Sequence, residues 1–116
     1  MIQETRRTLA SHTPVYFAGD RATDLFRVER GVVMVFNLFE DGRRQIVDFV
    51  TAGELLHFQF DGELDHYAEA ITEVELVSAP SDAALSDPVW AEYIFQQMRG
   101  RLDRDRRHVT LLAQKS

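Results

Sequence analysis

The sequence predicts a mainly β fold, a double-stranded β-helix (jelly-roll or β-roll), followed by one long C-terminal helix. Gly19, Gly31, Gly42 and Gly53 are 11 or 12 residues apart with β-prone runs between them, a spacing typical of a sandwich or barrel. After Pro80 the hydrophobic period changes from about two to about 3.5 residues, which indicates a helix with a heptad seam. The absence of cysteine excludes a disulfide framework, a zinc finger and a cysteine-ligated iron–sulfur cluster.

Length and charge limit the organisation and the partners of the chain. The 116 residues allow one domain with an additional helix. The net charge is −6, but residues 99–116 carry +4 (five arginines and one lysine against two aspartates), so the first 98 residues carry −10. An acidic body argues against a broad phosphate-binding face. No apolar run approaches the ~20 residues of a membrane span, and no signal-peptide core is present, so we expect a cytoplasmic protein without membrane contact.

The strands are predicted from alternating apolar residues and turn signals. Residues 1–12 read as a short helical or irregular lead-in that ends before Pro14, because the residue before a proline is pushed out of the helical region. Strands are then predicted at residues 15–17, 25–28, 32–39 and 45–50. The last two should form a hairpin around an Asp-Gly turn. Alternation resumes at residues 68–79, where we expect one strand with a bulge or register change at residues 71–73.

The predicted C-terminal helix carries an apolar seam. A short capped turn of helix is expected at residues 83–85, and Ser86-Asp87-Pro88 is typical of a helix start before a long helix at about 89–113. The seam consists of Phe95, Met98, Leu102, Val109 and Leu112 with one polar position, Asp105, in its middle, and the predicted dimer interface also includes Arg106. Such a seam favours a parallel homodimer in which Arg101 or Arg106 pairs with Asp105. A single amphipathic helix that lies on the barrel is the alternative.

The alternation fails once inside the β region, between Gly53 and Tyr67, where histidines and carboxylates gather. A break of this kind in a small β domain indicates a pocket or a functional loop. The candidate pocket residues are Gly53, Glu54, Leu55, His57, Leu64, Asp65, His66 and Tyr67. An apolar pocket of Leu55, Phe58, Phe60 and Leu64 is a second possibility for a small-molecule effector that the sequence does not identify.

Several ordered motifs resemble those of the Crp/Fnr superfamily of bacterial transcription regulators, most closely its FixK-like branch. The matching stretches are Phe17-Ala18-Gly19-Asp20, Leu25–Val33, Asp41–Ile46, Ala52-Gly53-Glu54 and Tyr67–Thr72. The resemblance implies a cyclic-nucleotide-binding-like β-roll sensor domain at residues 1–86 and a dimerisation helix at 87–116. It also implies that DNA is bound only through a helix-turn-helix domain, which these 116 residues do not include.

The resemblance further predicts that the pocket does not bind cyclic nucleotides. Relatives that bind cyclic nucleotides hold the phosphate with an Arg-Ser pair, and those positions fall on Leu64 and Asp65 here. The polar pair that some relatives place against the base falls on Asp105 and Arg106. We therefore expect no response to cyclic nucleotides.

Two alternatives use the histidines of the break. His57 or His66 could be the axial ligand of a haem-based gas sensor. A cupin-type metal-dependent enzyme would need an H-x-H motif and a third histidine, whereas these two histidines are nine residues apart. A roll without any ligand is also compatible with the sequence. We predict no enzyme activity, no metal and no cofactor.

Overall fold

The computed structural model describes the backbone of residues 2–115 and the side chains of residues 2–103. Seven strands are followed by two helices within this range. The strands are β1 (Thr5–Leu9), β2 (Pro14–Tyr16), β3 (Asp24–Arg30), β4 (Val33–Leu38), β5 (Arg44–Val50), β6 (Tyr67–Ala70) and β7 (Val74–Pro80). The helices are α1 (Ser81–Ser86) and α2 (Pro88–Lys115). The predicted fold class is confirmed, and no helix among the described residues is long and apolar enough to cross a membrane.

Two antiparallel sheets form the roll. The three-stranded sheet has the order β1-β7-β3, and the four-stranded sheet has the order β2-β6-β4-β5. Apolar side chains from the facing sides of both sheets form the main core, which includes Val28, Val33, Val35, Ala68, Val74 and Leu76. All of these side chains are buried because successive residues of a strand point to opposite faces.

A second core lies on the outer face of the three-stranded sheet. Leu25, Val77 and Ala79 project there and pack against Ala84 of α1 and against α2. The helix contributes Trp90 and Ile94, which are both almost fully buried. The N-terminal part of α2 is therefore a structural part of the roll, and the sheet that carries it is covered on both faces.

The predicted hairpin of β4 and β5 is confirmed, with a bulge that the sequence did not reveal. Val35 pairs with Asp48 and Phe36 pairs with Ile46, so Val47 is the extra residue of β5. Asp48 consequently lies on the same side of the sheet as Val35, which faces the core.

Two predictions about the strands are wrong. The lead-in contains β1, whose polar residues pair along the edge of β7 from Thr5↔Ser78 to Leu9↔Val74. Residues 68–79 are not one bulged strand, because the chain turns at residues 71–73 and passes from the four-stranded to the three-stranded sheet. This turn touches Gly31, the glycine between β3 and β4, so closely that only a residue without a side chain fits.

Candidate functional site

The first part of the break is an additional short edge segment of the three-stranded sheet. The N–H of Gly53 donates to the Val28 carbonyl (2.7 Å), and the N–H of Val28 donates to the Glu54 carbonyl (3.0 Å). One step further, the N–H of Leu56 donates to the Phe26 carbonyl (3.0 Å). These bonds explain the interrupted alternation, since this segment extends a sheet edge for only a few residues.

The side chains of this segment stabilise the turn and the second core. The Glu54 carboxylate accepts hydrogen bonds from the Thr51 N–H (3.0 Å) and hydroxyl (2.9 Å). Leu55 is buried beside Trp90 in the second core. The Gly53 carbonyl accepts a hydrogen bond from the hydroxyl of Tyr93 on α2. Gly53, Glu54 and Leu55, all candidate pocket residues, thus connect the turn to the helix.

The last part of the break is bound to the turn that follows β2. The N–H of Leu64 donates to the Asp20 carbonyl (2.8 Å), and the Leu64 carbonyl accepts from the N–H of Gly19 (2.9 Å). The N–H of Ala22 donates to the Gly62 carbonyl (2.8 Å). The Leu64 side chain is only 4% exposed and belongs to the main core. The position to which the family resemblance assigns a phosphate-binding arginine therefore carries a core side chain.

Between these two attachments lies a cavity of about 230 Å³, which we call the helix-side cavity. It is bordered by the inner face of the β4–β5 hairpin, by the middle of the break and by α2. Its lining residues are Tyr16, Val35, Val47, Leu56, His57, Phe58, Gln59, Asp65, His66 and Arg101. Only His57, Asp65 and His66 of the eight candidate pocket residues line it, together with Phe58 of the proposed apolar set.

His57 is a buried structural histidine. Its Nδ1 accepts a hydrogen bond from the Gln59 N–H (3.1 Å), so its Nε2 carries the proton and donates to the Asp24 carbonyl (3.0 Å). Its ring meets Tyr16 and Phe26 edge-on, with centroids 5.6 and 6.0 Å apart. Burial lowers the pKa of His57 despite these backbone hydrogen bonds. A haem iron or metal ion could bind this imidazole only by replacing one of the two hydrogen bonds.

Gln59 holds the middle of the break in place. Its amide nitrogen donates to the Glu63 carbonyl (2.8 Å), and its amide oxygen accepts from the Asp65 N–H (3.0 Å). By contrast, the Asp65 carboxylate and the His66 ring have no hydrogen-bond or ion-pair partner among the described side chains. Both side chains border the cavity and can interact with a ligand.

Among the described side chains of α2, that of Arg101 lines the cavity. Its guanidinium forms an ion pair with Asp48 of β5 at 3.3 Å. The pairing of Arg101 or Arg106 with Asp105 across a dimer stays a prediction, and within the chain Arg101 contacts the roll. Sequence reasoning missed Arg101 as a cavity residue, and it also missed Tyr16, Val35, Val47, Leu56 and Gln59. Val47 and Arg101 could not be found locally, because the first depends on the β5 bulge and the second on the placement of α2.

Tyr67 lies outside the helix-side cavity, on the outer face of the four-stranded sheet. Its ring stacks on Phe36 with centroids 5.4 Å apart and meets Phe17 edge-on at 6.3 Å. The guanidinium of Arg44 covers Phe36 at 4.4 Å and pairs with Glu69 at 3.3 Å. Tyr67 therefore belongs to an aromatic cluster that lines a separate groove of about 170 Å³.

Metal-ligand geometry is not found in the part of the chain with described side chains. No three histidine, aspartate or glutamate side chains there are grouped so that they could hold a metal ion. The donor set that a cupin-type centre requires is therefore not assembled by His57, His66 and the carboxylates near them.

The proposed dimer seam is only partly described. Phe95, Met98 and Leu102 are 57%, 43% and 59% exposed, whereas Trp90 and Ile94 of the same helix are buried. The other seam residues lie outside the described side chains: Asp105, Arg106, Val109 and Leu112. The helical backbone continues through them to Lys115, so the predicted long helix is confirmed.

Comparison with known proteins places this fold and site in a family. The model of the family described as "Cyclic nucleotide-binding domain" matches residues 6–86. The chain is 37% identical over 73 residues to the nitrogen fixation regulation protein FixK of Rhizobium meliloti, covering 60% of this chain and 35% of FixK. It is 26% identical over 122 residues to the fumarate and nitrate reduction regulatory protein of Yersinia pestis, covering 99% and 48%.

The fold is shared with a solved structure, that of FixK2 from Bradyrhizobium japonicum. The TM-score is 0.78 at 23% identity, covering 96% of this chain and 58% of FixK2. The chain spans half or less of the length of the two curated relatives. The family match covers more than half of the chain and agrees with the motifs of the roll. The chain therefore belongs to the cyclic nucleotide-binding domain family, in its Crp/Fnr branch.

Proposed function

We propose that this chain is the effector-sensing and dimerisation module of a Crp/Fnr-type transcription regulator that does not respond to cyclic nucleotides. The family match and the regulatory proteins among its relatives support the first part. In this role the module acts in the cytoplasm, and DNA is bound by a helix-turn-helix that the described residues do not contain. No enzyme activity belongs to the proposal.

The observation that carries the second part is the burial of Leu64. A cyclic nucleotide needs a cation and hydrogen-bond donors for its phosphate. Leu64 packs in the main core at the arginine position, and the next residue, Asp65, presents a carboxylate that would repel the phosphate. The cavity of about 230 Å³ is also smaller than the ~300–1,000 Å³ usual for ligand pockets.

Titration calorimetry with cyclic AMP and cyclic GMP tests this part directly. We expect no binding heat at millimolar nucleotide. The double variant Leu64→Arg/Asp65→Ser restores the residue types of cyclic-nucleotide-binding relatives and serves as a comparison for any weak signal. Micromolar binding of either nucleotide to the unchanged protein would contradict the proposal.

Dimerisation is supported by the exposed apolar residues of α2. Phe95, Met98 and Leu102 lie at heptad spacing and are exposed in the single chain. Burial of each side chain in a partner would contribute roughly 1.5–3 kcal/mol before entropy costs. We expect a dimer in sedimentation equilibrium and a monomer for Leu102→Asp. Gln96→Asp places the same carboxylate at an exposed position off the seam and should leave the dimer intact.

A further inference from the structure

Among its described residues, the helix-side cavity offers three polar side chains to a ligand, and they differ in charge. His57 and Gln59 also line it, but hydrogen bonds within the protein already use both of their functional ends. The three are Asp65 and His66, which have no partner among the described side chains, and Arg101, whose guanidinium forms an ion pair with Asp48. Asp65 accepts hydrogen bonds and attracts a cation, whereas Arg101 donates hydrogen bonds and attracts an anion.

The other described residues of the wall are mainly apolar. Tyr16, Val35, Val47, Leu56 and Phe58 surround the space between these polar groups. All five belong to the roll, so they offer a preformed surface for a hydrocarbon or aromatic group. A ligand that complements both this wall and the two opposite charges has an apolar part, one anionic group and one cationic group.

The volume sets the size of such a ligand. At about 230 Å³ the cavity lies below the ~300–1,000 Å³ usual for drug-sized molecules. Asp65 and Arg101 border this one small space, so a single small molecule can reach both. Adjacent ammonium and carboxylate groups on a compact apolar molecule are the defining groups of a free α-amino acid.

We infer that the helix-side cavity binds a free α-amino acid with an apolar side chain. Arg101 binds the carboxylate, Asp65 binds the ammonium group, and the apolar wall contacts the side chain. This inference rests on the proposed sensing function and names the chemical class of its effector. The amino acid carboxylate competes with Asp48 for Arg101, so the ligand contacts α2 through the ion pair that links the helix to β5.

Titration calorimetry with L-leucine and L-phenylalanine on the full chain tests the inference, with two analogues that each lack one charge. We expect binding of at least one amino acid. 3-Phenylpropionate lacks the ammonium group and 2-phenylethylamine lacks the carboxylate, and each should bind about tenfold or more weakly, since hydrogen bonds to charged groups are lost. Equal binding of phenylpropionate and phenylalanine would overturn the role of Asp65, and absence of binding for both amino acids at millimolar concentration would overturn the inference.

Matched variants separate the two charge contacts from general effects on the fold. Asp65→Asn and Arg101→Gln should each weaken binding about tenfold or more. Asp61→Asn, on the same loop, and Arg99→Gln, on the same helix, do not line the cavity and should leave binding unchanged. Asp48→Asn removes the competing carboxylate and should strengthen binding. Unchanged binding in Asp65→Asn and Arg101→Gln, with normal thermal unfolding, would overturn the inference.

The test of amino acid binding can fail or succeed independently of the tests of the proposed function. A protein that dimerises but binds neither amino acid retains the proposed function and loses this inference. A protein that binds phenylalanine but stays monomeric retains the inference and loses the dimerisation part of the proposed function.

Discussion

Gly31 tests the contact between two connections that link the sheets, from β3 to β4 and from β6 to β7. It lies between β3 and β4 with φ +94°, against the turn that joins β6 to β7. A Cβ atom built there would be 2.3 Å from the Glu73 carbonyl oxygen and 2.8 Å from Thr72 Oγ1. The N–H of Val32 also donates to Thr72 Oγ1 (3.1 Å), so the two turns are bonded as well as packed.

Gly19 is a matched control because it has the same φ of +94° with no atom within 4 Å of its ideal Cβ position. In Gly19→Ala, only the positive φ is unfavourable, which costs about 1–2 kcal/mol. Gly31→Ala has this cost and a clash with a backbone oxygen, which must move by about 0.7 Å to reach a 3.0 Å contact. We expect a total loss of about 4 kcal/mol or more for Gly31→Ala.

Chemical denaturation followed by circular dichroism measures both free energies of unfolding, with all proteins at one concentration because a dimer's stability depends on it. A difference of at least about 2 kcal/mol between the variants corresponds to a midpoint difference of roughly 8–16 °C in thermal unfolding. If Gly31→Ala and Gly19→Ala lower the free energy of unfolding by amounts that agree within about 0.5 kcal/mol, the close contact between the two connections is refuted.

Three further predictions concern the helix and the buried histidine. Trp90→Ala should lower the free energy of unfolding by about 3–5 kcal/mol because the ring fills the second core. Val89→Ala, which shortens a 78% exposed side chain, should change this free energy by less than about 0.5 kcal/mol in the same denaturation assay. Tyr93→Phe removes the hydrogen bond to the Gly53 carbonyl and should lower the free energy of unfolding by about 0.5–1.5 kcal/mol. An unchanged free energy of unfolding would contradict that bond. Burial lowers the pKa of His57, so the unfolded chain binds a proton more readily, and stability should fall as the pH decreases below about 6.5. His57→Gln should flatten this dependence in unfolding measured from pH 5 to 8, and an unchanged pH dependence would contradict the effect of burying this histidine.

The sequence predicted those parts of the fold that local patterns determine. The β4–β5 hairpin follows from alternating apolar residues around an Asp-Gly turn, and the start of α2 follows from Asp87 before Pro88. β1 could not be predicted in this way, because its residues Thr5–Leu9 are mostly polar and exposed. Their strand conformation comes from pairing with β7, about 70 residues later in the chain.

The structure brings only some of the predicted site residues together around one cavity. The break at residues 53–67 does border the helix-side cavity, yet the role of His57 depends on the Asp24 carbonyl, 33 residues earlier in the chain. That Leu64 is unsuited to phosphate stays a prediction, and its place in the main core became visible only in the structure. Arg101 was predicted only as a possible partner of Asp105 across a dimer. Its contact with Asp48 could not be predicted because it depends on the path of α2 across the roll.

The attachment of α2 differs along its length, and this difference bears on how a ligand could act. Trp90 and Ile94 are buried in the second core, so the first turns of the helix move only if that core is broken. Further along, Arg101 contacts the roll through an ion pair with Asp48 in which both side chains are partly exposed, and such a pair contributes only about 0–1 kcal/mol. A ligand shifts an equilibrium by its difference in affinity for the two states. A small molecule that replaces this ion pair therefore opposes only about 0–1 kcal/mol at this contact, whereas displacement of the N-terminal turns would expose Trp90 and Ile94.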